Sequence, residues 1–293
     1  MYRKMKTEKI IDKNKNITHD MLLDTLKYIA LNYPFSTFPY IIGGLNSKES
    51  MECLQSGNCI ALSCAGQKYL KKKYNIRSYI IPASIPNMFQ HPKYLHICHV
   101  ALYVPQNKKK AYILDFAFYF KTPIVIDLYD YNNIIKSKMM DIYSGIEIDL
   151  DHKLNILSNN YIMNEYQMLP INTKFIKTSY TNNPSDTWNY YIRKIINPDK
   201  SITNFYINIK KYPFFCKLDE NYKLHLYIKF IDEENFIIRE YQKTIFSGNK
   251  SKLTNDILNK IKPFTLKYFH NKLLLFLDKF NPNRRLSFKD SKI

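Results

Sequence analysis

The sequence predicts an α+β protein: N-terminal helices, a helix beginning on a cysteine, antiparallel strands behind it, then a β-rich region and a C-terminal helix. Three observations predict it. Apolar residues recur at helical spacing in two early stretches, Leu22 to Ala30 and Ile60 to Leu70. The β-branched and aromatic runs "NIRSYIIPASI", "HICHVALYV" and "KAYILDFAFYF" follow, the last two separated by the polar turn "PQNKKK". Beyond residue 200, "ITNFYINIKKYPFFCKL", "NYKLHLYIKFID" and "ENFIIREYQKTIF" alternate apolar and polar residues at period two, as an antiparallel sheet does.

Thr18 caps the first helix, whose apolar face is Leu22, Leu23, Leu26, Ile29 and Ala30, and Pro34 ends it. "YPFSTFPYIIGG" then forces irregular chain and a short segment delivers Cys59. From Cys59 to about Lys73 a helix is expected, with "KKKY" at the end that favours positive charge. Beyond Tyr143 the signals are mixed, and "TNNPSDTW" reads as a loop. Thr254 caps a short helix over Asn255 to Lys260, and "TLKYFHNKLLLFLDKF" has the spacing of a final amphipathic helix.

A chain of 293 residues, 45% hydrophobic, can bury a substantial core. With 44 Lys and Arg against 25 Asp and Glu its net charge is +19, a surface that attracts phosphates, nucleic acid or anionic lipid. The abundance of Lys, Asn, Ile, Tyr and Phe with only 6 Gly and 1 Trp also follows from AT-rich codons, as in a large DNA virus or an intracellular parasite. Basic and aromatic residues do not interleave in a recognisable nucleic-acid module, so nucleic acid is a secondary partner. No stretch approaches the roughly 20 apolar residues of a membrane span, and the basic opening "MYRKMKTEKIIDKNKN" lacks the apolar region of a signal peptide. Five cysteines, Cys53, Cys59, Cys64, Cys98 and Cys216, fit a reducing compartment. A cytoplasmic protein is expected, in host cytoplasm or virion if viral, with no membrane partner.

"SGNCIALSC" places Cys59 at a helix start, where unpaired backbone N–H groups favour a thiolate and can hold an oxyanion. Seven histidines could serve as base, and His91, His96 and His99 share one stretch. With Val104 and Ala111 flanking the turn, antiparallel pairing sets His99 within one residue of the position opposite Asp115. Opposed Cβ atoms lie about 4.5–5.5 Å apart, so the Asp115 carboxylate can fix the imidazole tautomer while the other nitrogen meets a thiol. His96 faces only Phe118 or Tyr119. Cys59, His99 and Asp115 thus form a candidate nucleophile, base and orienter. The competing explanation for Cys59 is plain packing, which is the expectation for Cys53, Cys64 and Cys98. Gln55 could donate to an oxyanion or simply face solvent. A zinc site on "HICH" is disfavoured because His96 and His99 point to opposite faces of a strand, so no metal is expected.

On these residues the stretch from about Leu22 to Phe120 resembles the papain-like and transglutaminase-like superfamily, and within it the arylamine N-acetyltransferases. "LLDTLKYIALNYPFS" is similar to that family's leading helix and Pro-Phe segment, and "GNCIALSCAGQKYLKKKYNIRSYIIPA" to its nucleophile helix and following strand. "HVALYV" and "LDFAFYF" are similar to its His strand and its Asp-Val-Gly-Phe-Gly strand, so that Cys59, His99 and Asp115 match the triad. Ala61 and Ser63 stand where the family has Glu and Asn, and Ala117 and Tyr119 where it has glycines. The resemblance implies a basic flexible arm over 1–17, a triad-bearing core over 18–145, a β-rich lid-like domain with terminal helix over 146–282, and a basic tail over 283–293. It also implies acyl transfer from acetyl-CoA, as co-substrate, to a small-molecule amine or hydroxyl acceptor. The Gly57-Asn58-Cys59 turn stands where that family has Gly-Gly-Phe-Cys and is more similar to the turn of transglutaminase-like hydrolases, which implies a cysteine peptidase or amidase as the alternative. An inactive binding protein with a basic face is the third possibility.

Overall fold

Helix α1 (His19–Asn32) begins where Thr18 Oγ1 accepts the Met21 N–H at 3.4 Å, and its Leu22, Leu26 and Ile29 are buried. These observations come from a computed structural model that describes residues 16–41, 47–86, 99–130, 133–140, 147–157, 188–193, 214–232 and 235–261. Strand β1 (Phe35–Ser36), helices α2 (Phe38–Ile41) and α3 (Ser47–Leu54), and helix α4 (Cys59–Tyr74) follow. The short α2 lies within the stretch expected to be irregular, and α3 forms in the segment that leads to Cys59. The chain divides into two compact units, one formed by 1–29, 63–140 and 147–208, the other by 30–62, 141–146 and 209–293.

In the first unit, one oxygen of Asp24 on α1 receives the hydroxyls of Tyr69 and Tyr74 at 2.7 Å and the Lys73 ammonium at 2.9 Å, all from the end of α4. Tyr28 stacks on Tyr69 beside them, with ring centres 4.0 Å apart. Burial pushes the Asp24 carboxyl up, but the bonds from Lys73, Tyr69 and Tyr74 outweigh it and hold it below its ordinary value.

The strands of this unit are β2 (Tyr79–Ser84), β3 (His99–Pro105), β4 (Lys110–Leu114), β5 (Ile124–Asp127), β6 (Ile135–Met140), β7 (Glu147–Leu157) and β8 (Trp188–Arg193). They form one sheet in the order β5-β4-β3-β2-β8-β7-β6, antiparallel except for β7 with β8. Its buried face gathers Ile81, Ala101, Ile113, Phe120, Ile126, Leu150 and Tyr190 into one apolar core. The β3–β4 hairpin pairs Val104 with Tyr112 and Pro105 with Ala111, one residue away from the expected register. Asn107 sets that register, because its side-chain oxygen accepts the N–H groups of Lys109 and Lys110 and tightens the turn. "KAYILDFAFYF" was expected to run as one strand, but the ladder stops at Leu114 and a turn follows, with the Tyr119 N–H donating to Phe116 O.

The second unit holds β9 (Phe214–Leu218), β10 (Leu224–Phe230), β11 (Asn235–Glu240) and β12 (Lys243–Asn249). With β1 they form an antiparallel sheet in the order β1-β9-β10-β11-β12. Phe38, Phe230, Phe236 and Phe246 form a chain of ring contacts over it. "ENFIIREYQKTIF" folds as a hairpin rather than one segment, turning at Tyr241 and Gln242 with Tyr241 in the left-handed region at φ 51°. Helix α5 (Asn255–Ile261) starts at Thr254, whose hydroxyl accepts the Ile257 N–H at 3.4 Å. The arm before residue 16, the expected helix over 265–280, the tail over 283–293, and His91, His96 and Cys98 lie outside the described residues.

Replacing Asp24 by Asn should lower stability at neutral pH by about 0.5–1 kcal/mol, because the carboxylate and Lys73 are both partly exposed and solvent screens their bond. The folded carboxyl titrates below its unfolded value, so its contribution is present above about pH 4 and is lost as pH falls through the folded value. Urea unfolding of the parent and Asp24→Asn from pH 7 to pH 3 should show the difference between them shrinking on acidification.

Candidate active site

Cys59 opens α4 and is 4% exposed. The turn before it is held on both sides. Gly57 donates its N–H to Pro34 O at 3.2 Å and accepts the Ser36 N–H on its own carbonyl at 2.9 Å, so β1 bridges to the turn in parallel. The Ser50 hydroxyl donates to Ser56 O. Asn58 is the cap: its side-chain oxygen accepts the N–H groups of Ile60 and Ala61, each at 3.2 Å, and the Ser47 hydroxyl at 3.3 Å. Its carbonyl accepts the Leu62 N–H at 3.0 Å.

The cap narrows the expectation that several helix-start N–H groups could hold an oxyanion. Ile60, Ala61 and Leu62 are already bonded to Asn58, whereas no hydrogen bond among the described residues occupies the Cys59 N–H. Gln55 is exposed and left-handed, with φ 48°, at the end of α3.

His99 and Asp115 belong to the other unit and meet there. His99 Nε2 lies 2.7 Å from Asp115 Oδ2, and both side chains are buried. Cys59 falls within 30–62, so the three sequence-predicted residues divide between the units, with His99 and Asp115 in direct contact. Direct cross-strand pairing does not make this contact. In the observed register, Leu114 pairs with Leu102 and ends the ladder, and Asp115 reaches His99 from the turn beyond.

That turn distributes three phenylalanines. Phe116 packs on α4 at Gly66, Phe118 sets its ring edge-on to His99 at 5.1 Å, and Phe120 meets His152 at 5.3 Å. Tyr119, where the resemblance places a glycine, takes a glycine-like φ of 54° despite its side chain.

Tyr190 carries no local sequence signal for this site. It pairs with Ala83 on β2, and Ala83 pairs in turn with His99 on β3, which places all three in one row across the sheet. Across the small Ala83 side chain the Tyr190 hydroxyl donates to Asp115 Oδ2 at 3.4 Å. Burial, then the Asp115 charge, pushes the phenol well above its ordinary value and keeps it a donor. His152 stacks on Tyr190 and bonds Ser137 Oγ through Nε2. No cluster of three or more His, Cys, Asp or Glu among the described residues is arranged to hold a metal ion. No helix among them is long and apolar enough to cross a membrane.

The chain's structure is similar to those of arylamine N-acetyltransferases. Arylamine N-acetyltransferase C from Bacillus anthracis is 12% identical over 90% of this chain and 98% of its own, with a TM-score of 0.48. The Bacillus cereus enzyme NAT3, which has a Cys-His-Glu catalytic triad, is 10% identical over 90% and 98%, with a TM-score of 0.46. The Mycobacterium marinum enzyme in complex with CoA is 11% identical over 92% and 97%, with a TM-score of 0.45. No protein-family model and no curated protein matches the chain.

Replacing Asn58 by Ala should cost about 1 kcal/mol of stability, and by Gly only a few tenths, as read by the thermal midpoints of the three proteins. Burial pushes the His152 imidazole down to about 3, so it folds neutral. An unfolded chain takes that proton near pH 6.5. The stability His152 confers is therefore whole above that pH and drains away as pH falls toward 3. Urea midpoints measured across that window should fall more steeply in the parent than in His152→Gln.

Proposed function

We propose that the protein catalyses cysteine-dependent acyl transfer through a covalent acyl-thioester on Cys59, with acetyl-CoA as donor and a small amine as acceptor. The observation that carries this reading is the buried His99 to Asp115 bond at 2.7 Å. A histidine held by a buried carboxylate is a proton carrier of fixed orientation. The capped helix start, with the turn before Cys59 held by backbone bonds, supports the nucleophile, and the Pro-Phe segment supports the choice of reaction.

Asp115 holds His99 through Nε2, and in this reading the imidazole is the group that exchanges a proton with the Cys59 thiol. In the first half-reaction His99 takes the Cys59 proton and the thiolate attacks the acyl carbon of the donor thioester. The resulting oxyanion would rest against the Cys59 N–H. Collapse of the intermediate breaks the donor's carbon–sulfur bond, and the departing thiolate takes the proton from His99. In the second half the amine attacks the acyl-cysteine, His99 accepts its proton, and Cys59 leaves as a thiolate that is then reprotonated. The charge of +19 favours a donor carrying phosphates.

Intact mass after mixing the protein with acetyl-CoA tests this directly. An acetyl adduct is expected in the parent and absent in Cys59→Ser. His99→Ala and Asp115→Asn should slow its formation by at least about 100-fold. A parent that forms no adduct, and whose Cys59 alkylates no faster than an ordinary thiol, would overturn the assignment. Fast alkylation without an adduct would redirect it to the peptidase or amidase chemistry.

A further inference from the structure

Gly66 lies inside α4, where glycine weakens a helix relative to alanine. Its backbone is not left-handed, so conformation does not explain it; space does. A Cβ at Gly66 would stand 2.3 Å from Phe116 Cζ and 2.6 Å from Cε2, far inside contact distance. The Phe116 ring is buried against the bare helix backbone. Phe116 directly follows Asp115, which lies past the last ladder pair and is not held by sheet hydrogen bonding. The turn is tight, with Phe116 O accepting the Tyr119 N–H at 3.4 Å and Tyr119 at φ 54°. A displaced Phe116 ring would therefore carry the neighbouring backbone with it.

We propose that Gly66 is a positioning residue for the His99–Asp115 pair: lacking a Cβ, it lets Phe116 seat on α4, and that seat sets where the Asp115 carboxylate meets His99. The importance of this for acyl transfer rests on the function proposed above, but the geometry can be tested without it.

The test compares the full-length parent, Gly66→Ala, Phe116→Leu and the double variant. It reads the NMR titration of the His99 ring nitrogens, the urea midpoint, and the rate of Cys59 acetylation. Gly66→Ala should move the His99 midpoint by about half a pH unit or more and slow acetylation by about tenfold to 100-fold. Phe116→Leu, which keeps an apolar side chain seated on α4 but removes the ring atoms that the new methyl would strike, should titrate near the parent. It should also return the double variant most of the way. A Gly66→Ala protein that loses stability yet keeps the parental His99 titration would reduce Gly66 to packing and overturn the proposal. If Gly66→Ala does not fold, the double variant decides: parental titration supports the proposal, and a shifted titration in a folded double overturns it. A parent that forms no acetyl adduct would defeat the acyl-transfer reading while leaving the titration comparison intact.

Discussion

Burying the Asp115 carboxylate costs several kcal/mol unless donors meet it with good geometry. The first unit brings two donors to one of the carboxylate oxygens, while Oδ1 is buried without a hydrogen-bond partner among the described residues. His99 arrives as the first residue of β3, and Tyr190 comes from β8, inserted between β2 and β7. Both bonds converge on Oδ2. The same burial that makes the carboxylate expensive also gives the pair its fixed geometry, since neither ring can turn without disturbing the core. His99, Asp115 and Tyr190 are all buried, and such surroundings strengthen each polar contact inside.

The way the chain delivers Asp115 departs from simple strand pairing. A hairpin continued in register would have set residue 117, not 115, opposite His99. Ending the ladder at Leu114 lets the chain turn Asp115 toward the imidazole and send three phenylalanines to three different partners. Tyr119 accommodates this in a conformation usually left to glycine, a local strain that the buried surroundings hold in place.

Local features were legible in the sequence. Thr18 and Thr254 cap as their positions predict, α4 starts on Cys59, and the partnership of His99 with Asp115 was readable although the register was one residue away. Asn58 carried a readable cap signal as the polar residue just before an apolar helix. Tyr190 was not readable, because its place depends on β8 entering the sheet beside β2, far from it in sequence. Gly66 could be noticed as a helical glycine, but Phe116 as its reason needs the packed turn. The β11–β12 hairpin was missed because Tyr241 and Gln242 replace the Asn-Gly pair that marks two-residue turns.

The bridge between β1 and Gly57 ties the cysteine turn to the far end of the chain. Phe35 pairs with Gly57 on one side and with Cys216 on the other. The turn thus borrows its rigidity from a sheet whose remaining strands are translated long after it. At about 5–20 residues per second, a ribosome needs on the order of ten seconds or more after making Cys59 to reach β9. Through that interval the thiol sits on a chain still missing the sheet that will fix its turn. Order at the Cys59 turn is therefore among the last things this polypeptide acquires, and the long sequence separation of the contact adds a loop-closure cost to reaching it.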